Sequence, residues 1–297
     1  MKFGQVPNPE EVDFTIPPDH ADTKRVLAKS KAKEMKVYVG CAKWNSKDLK
    51  GFYPKTVKAK DELHYYSTQF NCLEFNATFY KRYWERNYTA WREGTADGFK
   101  FFPKFNQGVT HYSRLKEVDE KCEQFAENIV FLKEKLGMPF LQMHDNFGPG
   151  AFDRVEDFFN NVWKYDIPIA AEFRKTEWHT DPEIAPRLYE VLERNGVTNI
   201  LVDTAGRRDL MHMRLTTDTA FIRWVGANHP TDYPRLDEWI TRIAKWKKAG
   251  LRNLYFFVHQ NVEQESPLLS AYFITKLNKK IGSDLHVPKT LKDLPKI

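Results

Sequence analysis

Eight short apolar runs recur along this chain at intervals too wide for hairpins, and they limit its fold more than any other feature. They are Val37–Gly40, Leu73–Asn76, Lys100–Lys104, Phe140–Met143, Ile169–Phe173, Asn199–Asp203, Phe221–Val225 and Leu254–Val258. Runs of this length fit strands covered on both faces. Between them lie stretches with helical spacing, clearest at Cys122, Phe125, Ala126, Ile129, Val130, Leu132 and Leu136, and again at Leu236, Trp239, Ile240, Ile243 and Trp246. Ser266-Pro267 reads as an N-cap followed by a proline in the first turn. Gly137, Gly196 and Gly250 each follow a helical stretch, where a left-handed residue is wanted.

Alternating strands and helices imply parallel strands joined by right-handed crossovers, and eight repeats favour closure. The expected fold is α/β: a single TIM-type (β/α)8 barrel over residues 36–282 with an N-terminal extension. Residues 1–35 read as an arm and a short basic helix over 22–33, and residues 283–297 as a C-terminal tail. Neither GxGxxG nor GxxxxGK[ST] follows any run, which disfavours a dinucleotide or P-loop site.

A length of 297 residues suits one barrel, and 41% hydrophobic with 14% aromatic residues is enough for a large core. Cys41, Cys72 and Cys122 are odd in number and widely spaced, so neither a disulfide framework nor a zinc finger is expected. No apolar stretch is long enough to cross a bilayer and the first residues lack a signal-like core, so a soluble, cytoplasmic protein without a membrane partner is expected. The net charge is +6, but residues 1–23 carry −4, 24–36 carry +5 and 276–297 carry +4, leaving +1 for residues 37–275. These flanks read as solvated arms, and a nucleic-acid or polyanion partner through 24–36 and 276–296 is an alternative that the near-neutral centre disfavours.

Charges at the carboxyl ends of apolar strands need a reason. In Leu73–Asn76, Glu74 and Asn76 share one face; in the fifth run Glu172 and Arg174 flank Phe173. Lys104, Gln142, Asp203 and Arg223 also fall in or at the ends of runs, so cations and carboxylates should converge at a barrel mouth. Buried ion pairs filling the barrel centre would explain the same pattern without a ligand. Trp44, Phe79, Tyr80 and Trp178 would line the mouth with rings, and Asn228 lies in the loop after the seventh run, where barrels often hold phosphate. His144, Asp145 and His259 are candidate metal ligands at strand ends, but no HExxH-like spacing supports them; no cofactor is required by the sequence, and a divalent metal stays open.

The ordered set Gly40, Trp44, Phe52-Tyr53-Pro54, Glu74-Phe75-Asn76-Ala77-Thr78-Phe79-Tyr80, Trp91, Lys104, Thr110-His111, Glu172-Phe173-Arg174, Trp178 and Asp203 resembles the YecE-like family, domain of unknown function 72, over about residues 36–280. The resemblance implies a TIM-type barrel and brings no settled activity. Relatives commonly continue the fourth strand as Gln-Leu-Pro-Pro and end the last in an Asn-rich turn. Here Gln142-Met143-His144-Asp145 and His259-Gln260-Asn261 stand instead, so His144 and His259 depart from the family pattern.

The residues together suggest a barrel enzyme, a hydrolase or isomerase, acting on a small polar sugar- or phosphate-containing ligand. Glu74 and Glu172, with Asp203, would supply carboxylate acid/base chemistry. Lys104, Arg174 and Arg223 would hold an anionic group, and Asn76, His111, Gln142 and Trp178 would contact the ligand. A metal-dependent phosphoesterase using His144, Asp145 and His259 is a further alternative. The oligomeric state is not legible.

Overall fold

The structure, a computed structural model, describes residues 4–30 and 34–290. Its strands are β1 (Lys36–Cys41), β2 (Cys72–Phe75), β3 (Lys100–Pro103), β4 (Phe140–Gln142), β5 (Ala170–Glu172), β6 (Thr198–Asn199), β7 (Leu201–Thr204), β8 (Thr219–Gly226) and β9 (Asn253–Gln260). Each of the eight apolar runs holds one strand, except that the sixth is split into β6 and β7 at Ile200. The protein is therefore a mixed α/β fold built on parallel strands. Among the described residues, a six-stranded sheet runs β3-β2-β1-β9-β8-β7 and a three-stranded sheet runs β4-β5-β6. Every ladder is parallel.

These ladders form two sheets, where one continuous eight-stranded ring was expected. Isolated parallel bridges, Phe101↔Leu136 and Lys104↔Phe140, connect the β3 edge to the chain at β4. On the other side the Ile200 N–H, between β6 and β7, donates to Ala171 O at 2.9 Å.

The helices are α1 (Ala21–Ala28), α2 (Glu62–Gln69), α3 (Ala77–Tyr80), α4 (Glu85–Glu93), α5 (Asp119–Ile129), α6 (Phe152–Asp157), α7 (Glu177–Thr180), α8 (Ile184–Arg194), α9 (Asp232–Ala249) and α10 (Ser266–Ile281). In α5, Cys122, Phe125, Ala126 and Ile129 are buried; in α9, Leu236, Trp239, Ile240, Ile243 and Trp246 are buried, as their spacing required. Strand residues of one parity meet these helices in two cores, Leu73, Phe75 and Phe101 in one and Ile222, Trp224 and Phe256 in the other. Residues of the opposite parity from both sheets meet in a third core of Cys72, Phe102, Phe140, Ala170, Ile200, Val202, Phe221 and Phe257. That alternation sends Glu74, Glu172 and Arg223 to the side of the third core, one step further along the strands.

Gly250 caps α9 with φ +115°, and a Cβ there would stand 2.3 Å from Leu27 O, so the position serves both the helix end and the approach of α1. Gly137 differs from its expected role. It is not left-handed; its N–H donates to Phe101 O at 2.7 Å, and a Cβ would lie 2.7 Å from that same oxygen. Ser266 is the first residue of α10 and not its N-cap, which falls on Glu265. The Ser266 hydroxyl instead donates to Glu263 at 2.8 Å.

The N-terminal extension is not a solvated arm. Ile16 donates its N–H to Glu238 at 2.9 Å, Asp19 accepts from Arg242 at 2.6 Å and from Trp246 Nε1 at 3.1 Å, and α1 buries Thr23, Val26 and Leu27. The basic helix ends at Ala28; residues 31–33, assigned to it from the sequence, lie outside the described residues, as do 291–297 of the tail. The three cysteines are free and buried.

Candidate functional site

The carboxyl ends of six strands bring one ionic network together above the third core. Arg223 of β8 binds Glu74 of β2 through two parallel bonds, Nε to Oε2 and Nη2 to Oε1, both 2.9 Å. Its third nitrogen, Nη1, donates to Glu172 Oε2 of β5 at 2.6 Å. Glu74 also accepts from Asn76 Nδ2 at 2.8 Å and lies 2.9 Å from His259 Nε2. Glu172 accepts from Gln142 Nε2 at 3.0 Å, and Arg174 Nε stands 2.9 Å from its Oε1. Gln142 in turn takes a bond from Lys104 Nζ at 2.6 Å. Glu74, Glu172, Lys104, Gln142 and Arg223 are buried.

Burial of this kind penalises every charge, and the pairing decides which charges survive. For Glu74, burial opposes ionisation, but Arg223 and then His259 outweigh it and hold the carboxyl well below its usual range. Burial opposes ionisation of Glu172 too, and Arg223 and Arg174 overcome it. Lys104 goes the other way: burial, reinforced by Arg223, pulls its ammonium down to about 7. Both carboxyls are held ionised by the same guanidinium, whereas their expected division into acid and base calls for environments that set the two apart.

Over this floor Phe79 of α3 lies 4.2 Å beneath the Lys104 ammonium. His111 sets its ring edge against Phe79 at 4.8 Å and faces His144 at 5.2 Å. The His111 Nδ1 is 2.9 Å from Thr110 Oγ1, and burial, with Lys104 nearby, lowers its pKa to about 4. Tyr80, exposed, stands edge-on to Phe79. Arg174 reaches the rim, where Nη1 donates to Asp145 at 2.9 Å. The arrangement is a charge-fixed floor with a cationic, partly aromatic rim.

The family model described as "Protein of unknown function DUF72" matches residues 38–292, which takes in β2 to β9, all but the first two residues of β1, and the whole network. This chain belongs to the DUF72 family. It is 25% identical over 253 residues to the UPF0759 protein YecE of Escherichia coli, covering 78% of this chain and 89% of that protein. It is 32% identical over 157 residues to the UPF0759 protein YunF of Bacillus subtilis, covering 49% of this chain and 53% of that one. A crystal structure of a DUF72 family protein from Thermotoga maritima superposes with a TM-score of 0.66 at 25% identity, over 82% of this chain and 99% of the other. One from Enterococcus faecalis gives 0.66 at 14% identity, over 83% and 99%. The matched segment starts after α1, so the extension described above precedes the DUF72 segment.

Several residues expected at the mouth of this DUF72 fold lie elsewhere. Asp203 faces the helices, because Ile200 and Val202 take the inner parity of their run. There it binds Arg208, Arg235 at 2.8 Å and Trp239 Nε1 at 2.6 Å. Trp178 is fully buried between Phe147 and Phe173 and donates to Phe147 O at 2.7 Å, so it is a core residue. Trp44 leans on Phe75, which faces the helices. Asn228, at φ +55°, ties the turn after β8 to Val262 through bonds of 2.7 and 3.2 Å. Among the described residues no group of three or more His, Cys, Asp or Glu is placed to hold a metal, and His144, Asp145 and His259 do not converge: His259 sits on Glu74, His144 beside His111. Among the described residues no helix is long and apolar enough to cross a membrane.

The sequence reading missed Glu263, 4.0 Å from His259 Nδ1, and the three partners of Asp203. The i,i+4 spacing of His259 and Glu263 was a usable signal. Nothing local pairs Asp203 with α9, some thirty residues on.

Proposed function

We propose that the two sheets act as one closed (β/α)8 barrel over residues 36–282, and that its carboxyl-terminal mouth is the active site of a hydrolase or isomerase for a small anionic ligand, a sugar or phosphate ester. Closure is supported by the parallel bridges between β3 and β4, by the Ile200 bond to β5, and by a third core drawn from both sheets. The observation that carries the functional reading is the convergence of Glu74, Lys104, Gln142, Glu172, Arg223 and His259 from six different strands on one point, with Arg174 and His111 at the rim.

In this reading Glu74 and Glu172 do not move protons. They fix Arg223 and orient Arg174, and so preorganise a cationic field for the ligand's anionic group. Proton transfer falls to His111, neutral near pH 7, and to Lys104, whose lowered pKa lets it both hold and release a proton there. Tyr80 and Phe79 supply apolar contact to a ring.

Isothermal titration with inorganic phosphate and with a hexose phosphate tests the site. Arg174→Gln should weaken the phosphate ester about tenfold or more, as expected for loss of a charge-assisted bond. Equal affinity in the wild type, Arg174→Gln and His111→Ala proteins would show that the mouth is not the binding site.

A further inference from the structure

We propose that Lys104 is a nucleophile, and that the substrate of this site is an anionic aldehyde or ketone which Lys104 captures as an imine. This rests on the reading of the mouth as a ligand site and names the substrate class. The side chain starts at the carboxyl end of β3, where its backbone is pinned: the Lys104 N–H donates to Phe75 O at 3.2 Å and its carbonyl accepts from Thr78 Oγ1 at 2.7 Å. The amine is buried, donates to the neutral Gln142 amide oxygen at 2.6 Å and lies over the Phe79 ring.

What this amine lacks, among the described residues, is a counter-ion. Among the described residues no carboxylate oxygen lies within 4.0 Å of Nζ, although Glu74 and Glu172 are its electrostatic neighbours. Both are occupied by Arg223, with Asn76, His259, Gln142 and Arg174 on the remaining positions. A buried ammonium without a counter-ion is driven toward the neutral amine. Burial, Arg223 and Arg174 act in that direction, and the pull of Glu74 and Glu172 opposes it without cancelling it. The neutral amine is the form that attacks carbonyl carbon.

The step balances without any redox partner. The Nζ lone pair forms a C–N bond to the carbonyl carbon while the carbonyl π electrons move to oxygen, which takes a proton. The resulting carbinolamine loses that oxygen as water, together with the two amine hydrogens overall, leaving the C=N bond. His111, edge-on to the same Phe79 ring, is placed to relay protons in this sequence. The protonated imine then draws electrons from the adjacent carbon, which is the activation that an isomerase of a sugar phosphate needs. Arg174 would hold the anionic group at the rim.

The test uses the whole chain with dihydroxyacetone phosphate and sodium cyanoborohydride at pH 7.5, followed by peptide mass spectrometry. The expected result is one reduced adduct on the Lys104 peptide, absent in Lys104→Arg and suppressed by excess inorganic phosphate. Labelling of wild-type protein at pH 5.5 should fall more than about tenfold, since the neutral fraction of an amine drops about tenfold per pH unit below its pKa; this measurement needs no variant. Labelling of Lys104 no faster than that of exposed Lys116 and Lys121 would overturn the proposal. Binding of dihydroxyacetone phosphate, followed in parallel by calorimetry, separates the two levels. Binding without a Lys104 adduct overturns the imine and leaves the mouth as a ligand site, whereas loss of both overturns the mouth reading as well.

Discussion

Replacing Arg223 with Met should destabilise this protein more than any other single change at the site, and the loss should depend on pH. One guanidinium serves two fully buried carboxylates, Glu74 and Glu172, through bonds of 2.6 to 2.9 Å. Removing one partner of a buried pair costs about 3–5 kcal/mol, because the other charge is left without compensation. With two carboxylates left behind, the upper part of that range applies, about 4–5 kcal/mol. At a urea slope of about 3 kcal/mol/M, this lowers the unfolding midpoint by about 1.5 M at pH 7.5, readable from tryptophan fluorescence. In the wild type both carboxyls lie below their usual range, so their contribution is present above that range and is lost only as pH falls through the lowered values. In Arg223→Met the main opposition to burial is gone, the carboxyl pKa values rise, and both groups are neutralised as pH falls toward 5. The gap between variant and wild type should therefore narrow at pH 5.0. The triple variant Glu74→Gln, Glu172→Gln, Arg223→Met should recover most of the loss, since neither carboxylate is then left buried without its guanidinium. A deficit below about 1 kcal/mol, an equal deficit at both pH values, or a triple variant as unstable as the single would refute the reasoning.

Lys104 gives a second pH signature. The folded chain releases its proton near 7 and the unfolded chain near 10.4, so wild-type stability should rise with pH between those values; Lys104→Met should flatten that rise in urea midpoints taken at pH 7, 8 and 9. Asp203→Asn should cost about 3 kcal/mol by leaving Arg208 and Arg235 without their shared carboxylate, while affinity for a hexose phosphate stays unchanged in calorimetry. Trp178→Phe should lower stability by about 1 kcal/mol through the lost bond to Phe147 O, again with no change in affinity; a large affinity loss would return Trp178 to the binding site. Gly137→Ala should cost about 2 kcal/mol or more, because its Cβ would meet the Phe101 backbone oxygen at 2.7 Å and neither side can move without disturbing the β3–β4 junction.

Within the amino-acid sequence, the eight apolar runs located the strands and the 3.6-residue spacing located α5 and α9, because burial on both faces of a strand and on one face of a helix leaves a local mark. Where polar and apolar residues alternate, as at Leu73–Asn76, parity was legible as well, and Glu74 points where the pattern required. In Asn199–Asp203 apolar Leu201 shares the parity of Asn199 and Asp203 while Ile200 and Val202 hold the other, so apolar residues stand on both sides; packing of Ile200 and Val202 into the third core decided which side Asp203 takes. Trp178 was similarly ambiguous, since an indole suits a core as well as a ligand.

The sequence by itself determined that polar groups would gather at one end of a parallel α/β core. Only the tertiary structure decided which of them pair with one another. Arg223 comes from residue 223 and its carboxylates from 74 and 172, and no local pattern reveals that one side chain saturates both. That pairing ties both carboxylates to Arg223 and leaves Lys104 buried beside them with, among the described residues, no carboxylate within 4.0 Å. A charge's role depends on its neighbours in space, through distance and desolvation, and those are set when the strands assemble.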